Sequence, residues 1–226
     1  RPEYWLELEK TMPSRSALEL ILPECFLSDA DSRLEAVRTA ARAMGDRFSA
    51  VKGAVLVTRD TAYGRTRKGL VASVELDCYD YTDGNTAAIR ASERTIAERI
   101  PPRVAIREAI DIELPHIMLL VDDPDGLMMK AAKSGIVRTL YDAELVGGGG
   151  RVKGELVDAA DALGAAVDAL IARSRQIYGT PLFALVGDGN HSLATAKYCA
   201  EHVPTAYNGR ALVEIVNIYD EGIVFE

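Results

Sequence analysis

The stretch from Gly187 to Ser192 combines residue types that suit the binding of an anion. An apolar run, Leu182–Val186, predicts a buried strand before it, and an alanine-rich helical pattern follows it. Small residues let a ligand approach the backbone, and the start of a helix offers N–H groups and the positive end of its dipole. With the carboxylate of Asp188 and the imidazole of His191, this turn is a candidate phosphate or metal–phosphate site.

Two common phosphate motifs are absent from this turn. The Gly-Lys-Ser/Thr of a Walker A loop is missing, and so is the third glycine of GxGxxG. The alternative interpretation is structural: Asp188-Gly189 forms a tight turn, and Asn190 or Ser192 caps the next helix. The site hypothesis assigns phosphate or nucleotide binding to Gly187, Gly189, Asn190 and Ser192, a metal to Asp188 and catalysis to His191.

The segment Ile89–Arg107 concentrates positive charge in an otherwise acidic chain. Its arginines are Arg90, Arg94, Arg99, Arg103 and Arg107. We predict a short helix over Glu93–Arg99, ended by Pro101-Pro102, in which Glu93 shares a face with its neighbouring arginines. The structural interpretation is a solvated, ion-paired surface helix. The functional interpretation is an arginine clamp on phosphate, formed by Arg90, Arg94, Arg99 and Arg103, with Glu93 as general base.

A third candidate lies where the apolar strand Ile117–Val121 ends. His116 precedes this strand, and Asp122-Asp123 follow it. Ligands in α/β sheets gather at strand ends, and carboxylates there can hold Mg²⁺. The alternative is a strand end followed by an Asp-Pro turn.

The elements that must position these residues alternate between strands and helices. Apolar and β-rich runs predict strands at Leu18–Leu22, Ala54–Arg59, Gly69–Leu76, Ile117–Val121, Val152–Val157, Leu182–Val186 and Ala211–Ile218. Helical patterns follow Ser28 or Asp29, follow Asp158 and cover Leu127–Leu140. The polar turn around Tyr63-Gly64 predicts that Ala54–Arg59 and Gly69–Leu76 form a hairpin. We therefore expect an α+β fold, with mixed sheets and flanking helices. Residues 1–226 form one domain, or two lobes that meet near the four glycines at 147–150.

Composition narrows the class of protein. The net charge of −8 argues against a nucleic-acid surface, and no apolar run approaches the length of a membrane helix. Three well-separated cysteines, without metal spacing, indicate reduced thiols and a cytoplasmic location. The expected partners are a nucleotide and a small-molecule substrate, and the oligomeric state is open. The chain begins with Arg1, which suggests that an upstream segment is missing.

Several long motifs resemble those of the domain of unknown function 1015 family. They are PEYW (Pro2–Trp5), LILPE (Leu20–Glu24), IRASERTIAERIPPRV (Ile89–Val104), ELPHIMLLVDDP (Glu113–Pro124) and GDGNHSLATAK (Gly187–Lys197). Their order and approximate spacing also fit, and the resemblance covers essentially the whole chain. It implies a single family domain, trimmed at both ends.

The resemblance extends distantly to ParB/sulfiredoxin-type folds, which include nucleotide hydrolases and kinases of free serine. It implies that Asp188, Gly189 and His191 serve the phosphates and a magnesium ion. It also implies that Glu93, in the family's Glu-x-Thr element with Thr95, is the general base on a substrate hydroxyl.

This chain departs from the family pattern at three positions. Asn190 replaces the first histidine of the family's Asp-Gly-His-His-Arg turn, and Ser192 replaces the arginine. Ser92 stands where many members have histidine before the glutamate. Because a charged phosphate ligand is lost at Ser192, nucleotide binding depends on the arginines of Ile89–Arg107.

These observations lead to three functional hypotheses. The first is a phosphotransferase that uses Mg²⁺ and ATP or ADP to phosphorylate a small hydroxylated metabolite such as serine. The second is a non-catalytic nucleotide-binding module that regulates a partner. The third is a structural scaffold, which would be favoured if Glu93 and Asp188 lay on opposite faces of the fold.

Overall fold

The computed structural model describes residues 2–13, 16–61, 63–114, 117–203 and 209–223. Within these ranges the α-helices are α1 (Pro2–Thr11), α2 (Ala30–Ala43), α3 (Ile100–Ala109), α4 (Leu127–Ser134), α5 (Ala160–Tyr178) and α6 (Asn190–His202). The strands are β1 (Ala54–Asp60), β2 (Thr66–Glu75), β3 (Tyr79–Asp80), β4 (Ile89–Arg90), β5 (Met118–Val121), β6 (Ile136–Glu144), β7 (Arg151–Val157), β8 (Ala184–Asp188) and β9 (Arg210–Asn217).

All of these strands belong to one mixed sheet, in the order β3-β4-β8-β5-β9-β2-β1-β7-β6. The predicted hairpin is confirmed, since β1 and β2 pair antiparallel with Val57 opposite Gly69. Strand β8 lies between β4, which is parallel to it, and β5, which is antiparallel. The α+β class with a mixed sheet and helices is therefore confirmed.

The hydrophobic core lies on the central strands. Leu119 of β5 and Val186 of β8 are paired neighbours, and both are fully buried. Helix α6 adds Leu193, and helix α5 adds Leu170. Burying a Leu or Val side chain contributes about 1.5–3 kcal/mol, so this core fixes β8 and the start of α6 firmly.

Two predicted elements differ from the structure. The run Leu18–Leu22 is not a strand, because Ala17–Leu20 form a turn of 3₁₀ helix; five residues are too few for periodicity to separate the two. The predicted helix Leu127–Leu140 ends at Ser134, and the chain continues as strand β6. Gly135 breaks the helix, and the β-branched residues that follow it favour a strand.

The predicted helix Glu93–Arg99 is also wrong. Residues 91–96 are neither helix nor strand, Ala97–Arg99 form a 3₁₀ turn, and helix α3 starts at Ile100. Pro101 and Pro102 lie in the first turn of α3, where a missing N–H costs little. The prolines therefore mark the beginning of a helix and not its end.

The four glycines at 147–150 connect β6 and β7, which are antiparallel neighbours in the sheet. Gly147, Gly148 and Gly150 have positive φ, and Leu145 N–H donates to the Gly150 carbonyl at 2.7 Å. The division of the chain into two lobes at this point stays a prediction. No helix in the described ranges is long and apolar enough to cross a membrane.

Candidate functional site

Strand β8 passes into helix α6 through a single residue, Gly189. Its φ of +83° and ψ of 26° are left-handed, which glycine adopts without steric cost. Asp188 is the last residue of β8 and Asn190 is the first of α6. Neither Asn190 nor Ser192 caps the helix, because both lie inside it. The strand–turn–helix prediction is confirmed, while the capping alternative is wrong.

The glycine at 187 has a packing role. A Cβ atom there would lie 2.6 Å from Cγ of Leu120 on the neighbouring strand, closer than side chains approach. The Asp188 side chain is exposed, and its Oδ1 accepts the N–H of Gly189 at 2.7 Å. This carboxylate is therefore accessible to a ligand, and the Gly189 N–H is already engaged.

The side chain of Asn190 is turned toward the segment before α3. Asn190 is only 5% exposed. Its Oδ1 accepts the backbone N–H of Ser92 at 3.1 Å, and its Nδ2 donates to Ser92 Oγ at 3.2 Å. The side-chain amide of Asn190 is therefore engaged within the protein. Phosphate binding by the backbone N–H of this residue remains a prediction. Two of the departures from the family pattern, Ser92 and Asn190, are in direct contact.

The His191 ring is held by a hydrogen bond at its Nε2 atom. The backbone N–H of Ile96 donates to Nε2 at 3.2 Å, so Nε2 is an acceptor and the ring proton lies on Nδ1. The His191 carbonyl accepts the hydroxyl of Thr195 at 2.7 Å. The residue is 9% exposed. The Nδ1–H faces the carboxylate of Glu93, whose Oε1 lies 3.9 Å away.

Glu93 belongs to a loop of residues 91–96, which we call the Glu93 loop. Its side chain is 62% exposed, so the carboxylate reaches solvent while one oxygen faces His191. Asp188 lies directly before the turn into α6, and His191, which Glu93 faces, is the second residue of that helix. The carboxylates of Asp188 and Glu93 therefore both lie near the N-terminal end of α6. The hydroxyl of Thr95 in the same loop is buried without a hydrogen-bond partner in the described part of the chain.

Of the four arginines predicted to bind phosphate as a clamp, two form hydrogen bonds within the protein and two are exposed. Arg90 is held by bonds at 2.8 Å from Nε to the Ala87 carbonyl and from Nη2 to Thr180 Oγ1. Arg103 donates from Nη1 to the Arg99 carbonyl at 2.9 Å. Arg94 and Arg99 are exposed. Arg94 directly follows Glu93 in the chain.

The pair Asp122-Asp123 is occupied by contacts within the fold. Asp123 is buried, and its oxygens accept the N–H groups of Leu127 and Met128 at 2.9 Å each. The Asp122 carboxylate accepts bonds from one arginine and two tyrosines. These contacts support the strand-end interpretation over a metal site. His116 lies outside the described residues.

In the described ranges, no group of three or more His, Cys, Asp or Glu side chains is arranged to hold a metal ion. Mg²⁺ often binds through one or two carboxylates and completes its shell with water and substrate phosphates. The Asp188 carboxylate is exposed and accessible to such an ion.

The contribution of Ser92 and Ile96 was not predicted from the sequence. Ser92 stands out in the sequence only as a departure from the family pattern, and Ile96 acts through its backbone, which no residue type reveals. Their partners lie 98 and 95 positions further along the chain, and helical periodicity pointed to a different conformation for the segment.

Comparison with known proteins places the chain in a family without a known activity. No curated protein matches it. No solved structure matches it either, so the similarity to ParB/sulfiredoxin-type folds stays a prediction. The family model described as "Protein of unknown function (DUF1015)" matches residues 5–226, almost the entire chain. The resemblance in the motifs is thus confirmed, and the chain belongs to this family.

Proposed function

We propose that this protein transfers a phosphoryl group from a nucleotide to the hydroxyl of a small metabolite, with free serine as the first candidate. The observation that carries the proposal is the exposed Glu93 carboxylate, which faces the Nδ1–H of His191 at the N-terminal end of α6. A base, an orienting imidazole and the positive end of a helix dipole are thus in one place.

Each residue then has a defined task. Glu93 takes the proton from the substrate hydroxyl, the oxygen attacks the terminal phosphorus, and the shortened nucleotide leaves. His191 orients Glu93 and stabilises its charge. Backbone N–H groups at the start of α6 bind phosphate, and the exposed Arg94 and Arg99 neutralise the developing negative charge.

A magnesium ion bound with the nucleotide would supply further charge neutralisation, and Asp188 is the side chain that would hold it. Its carboxylate is exposed at the end of β8. The Gly189 N–H now donates to this carboxylate. Once the carboxylate held the magnesium ion, this N–H would be able to bind phosphate.

The test is a phosphorylation assay with ATP or ADP, Mg²⁺ and serine. Removal of the general base in Glu93→Gln should lower kcat by roughly 10²–10⁴-fold, and Asp188→Asn should raise the Mg²⁺ concentration needed for activity. Glu98→Gln is the matched control, since Glu98 is an exposed glutamate of the same segment. Unchanged activity in both Glu93→Gln and Asp188→Asn would refute the assignment.

A second candidate function is a nucleotide-binding module that controls a partner without turnover. It is favoured by the 3.9 Å between Glu93 Oε1 and His191 Nδ1, which is longer than a hydrogen bond, and by the engaged Gly189 N–H. Calorimetry with ATP, ADP and CTP, beside a phosphate-release assay, separates the two. Binding without release would support the module.

The proposed partners are therefore a nucleotide and a small-molecule substrate, and the proposed location is the cytoplasm. Supporting this location, Cys25, Cys78 and Cys199 are free thiols, as expected in a reducing compartment.

A further inference from the structure

The Glu93 loop is attached to helix α6 at two points, on either side of Glu93. Ser92, directly before Glu93, bonds to the side chain of Asn190. Ile96, three residues after Glu93, donates its N–H to His191. The two attachment residues on α6 are consecutive, so the loop is held against the first turn of the helix, and Glu93 lies between the attachments.

We propose that Asn190 and Ser92 are positioning residues, which hold the Glu93 loop so that the Glu93 carboxylate faces the N-terminal end of α6. This inference rests on the proposed function for its catalytic consequence. The attachment of the loop is a separate claim that can be measured without any substrate.

The geometry of the Asn190–Ser92 contact supports this role. Asn190 bonds both to the backbone N–H of Ser92 and to its Oγ, so the contact constrains the position and orientation of this residue. The Asn190 side chain is shielded from water, where a hydrogen bond is stronger and an unsatisfied group costs more.

Among the described residues, the loop has few contacts outside α6; one is the Ile96 carbonyl, which accepts the Arg99 N–H at 3.0 Å. Residues 91–96 lack the backbone bonding of a helix or strand. Glu93 and Arg94 are exposed, and Ile96 is 43% exposed. Because few apolar side chains of this segment are buried, its conformation depends on the polar contacts with α6.

Variants of the Asn190–Ser92 contact should lower kcat to different degrees. Asn190→Ala keeps the helix N–H and removes both bonds, whereas Ser92→Ala removes only the bond to Oγ. We expect Asn190→Ala to lower kcat by about tenfold or more, because a small misplacement of a reacting group is costly, with little change in KM. Ser92→Ala should have a smaller effect.

The double variant tests whether the two residues act as a unit. Once Asn190 is truncated, the Ser92 hydroxyl has no role in the contact, so Asn190→Ala with Ser92→Ala should be no worse than Asn190→Ala alone. Ser92→Thr keeps both the N–H and a hydroxyl and should retain activity. Ser134→Ala, which loses an exposed bond to Ala131 in α4, is the control for a general loss of stability.

Amide hydrogen exchange, followed by NMR on the full chain without substrate, tests the attachment directly. The Ile96 N–H should exchange about tenfold faster in Asn190→Ala and at the wild-type rate in Ser92→Thr and Ser134→Ala. Unchanged exchange at Ile96 together with additive effects in the double variant would overturn the positioning role. If the wild type transfers no phosphate, the proposed function fails, and the exchange rates still decide whether Asn190 and Ser92 hold the loop.

Discussion

At the scale of single residues, the site depends on one backbone conformation. Gly189 is the only residue between β8 and α6, and its φ of +83° turns the chain abruptly. Asp188 therefore lies just before this turn and His191 just after it. An L-residue with a Cβ is strained in the left-handed region by about 1–2 kcal/mol.

A matched pair of glycine substitutions tests this dependence. Gly189→Ala should lower the free energy of unfolding by about 1–2 kcal/mol, because of this strain. Gly164→Ala should raise it by about 0.5–1 kcal/mol, since Gly164 is an exposed residue of helix α5 where an added Cβ meets nothing within 4 Å. Chemical denaturation measures both. Equal effects of the two substitutions would contradict the conformational argument.

At the scale of secondary-structure elements, one carboxylate joins the end of β5 to two other elements. Asp122 accepts bonds from Arg173 and Tyr178 of α5 and from Tyr219 beyond β9, at 2.7–2.9 Å. Burial alone would raise the pKa of Asp122, but the bonds from these three side chains outweigh it, and the net pKa lies below the ordinary carboxyl value.

The lowered pKa of Asp122 predicts how stability changes with pH. Its contribution is fully present above the unfolded carboxyl pKa of about 3.9 and is lost as pH falls through the lower folded value. Asp122→Asn should therefore be less stable than wild type at pH 7, and the difference should shrink toward pH 2. Denaturation across this range is the measurement, with the exposed neighbour Asp125→Asn as control. A difference that did not vary with pH would exclude the linkage.

The predictable elements are those with a long or regular pattern. Two β-rich runs and the polar turn around Tyr63-Gly64 predict the hairpin of β1 and β2, which the structure confirms, because strand-forming residues and a turn between them are local features of the sequence. The Glu93 loop carries no such signal. Its charged residues are compatible with an exposed helix, and the contacts that hold it are with α6.

At the scale of the whole molecule, the candidate site is supported by the central strands of the sheet, because β8, which leads into the site, packs in the core beside β5. Leu119 of β5 pairs with Val186 of β8 and with Ile215 of β9, so it lies between two neighbouring strands in the core. The loss of a side chain here leaves a cavity that close-packed neighbours cannot fill.

Leu119→Ala should therefore lower the free energy of unfolding by about 2–5 kcal/mol. Leu185→Ala is the control, since Leu185 is a leucine of β8 that is 40% exposed, and it should cost about 0.5 kcal/mol or less. Denaturant unfolding of both variants checks the difference. Similar losses for the two leucines would contradict the placement of the core.

Local physical chemistry in the sequence was enough to specify the β8–α6 turn, the hairpin and the α+β class. A buried strand, a glycine turn and a helix are encoded by neighbouring residues. The partnership of Glu93 with His191, and of Ser92 with Asn190, was decided by tertiary structure. These contacts join segments almost a hundred residues apart, and they form because the sheet brings β4 beside β8, which no local pattern encodes.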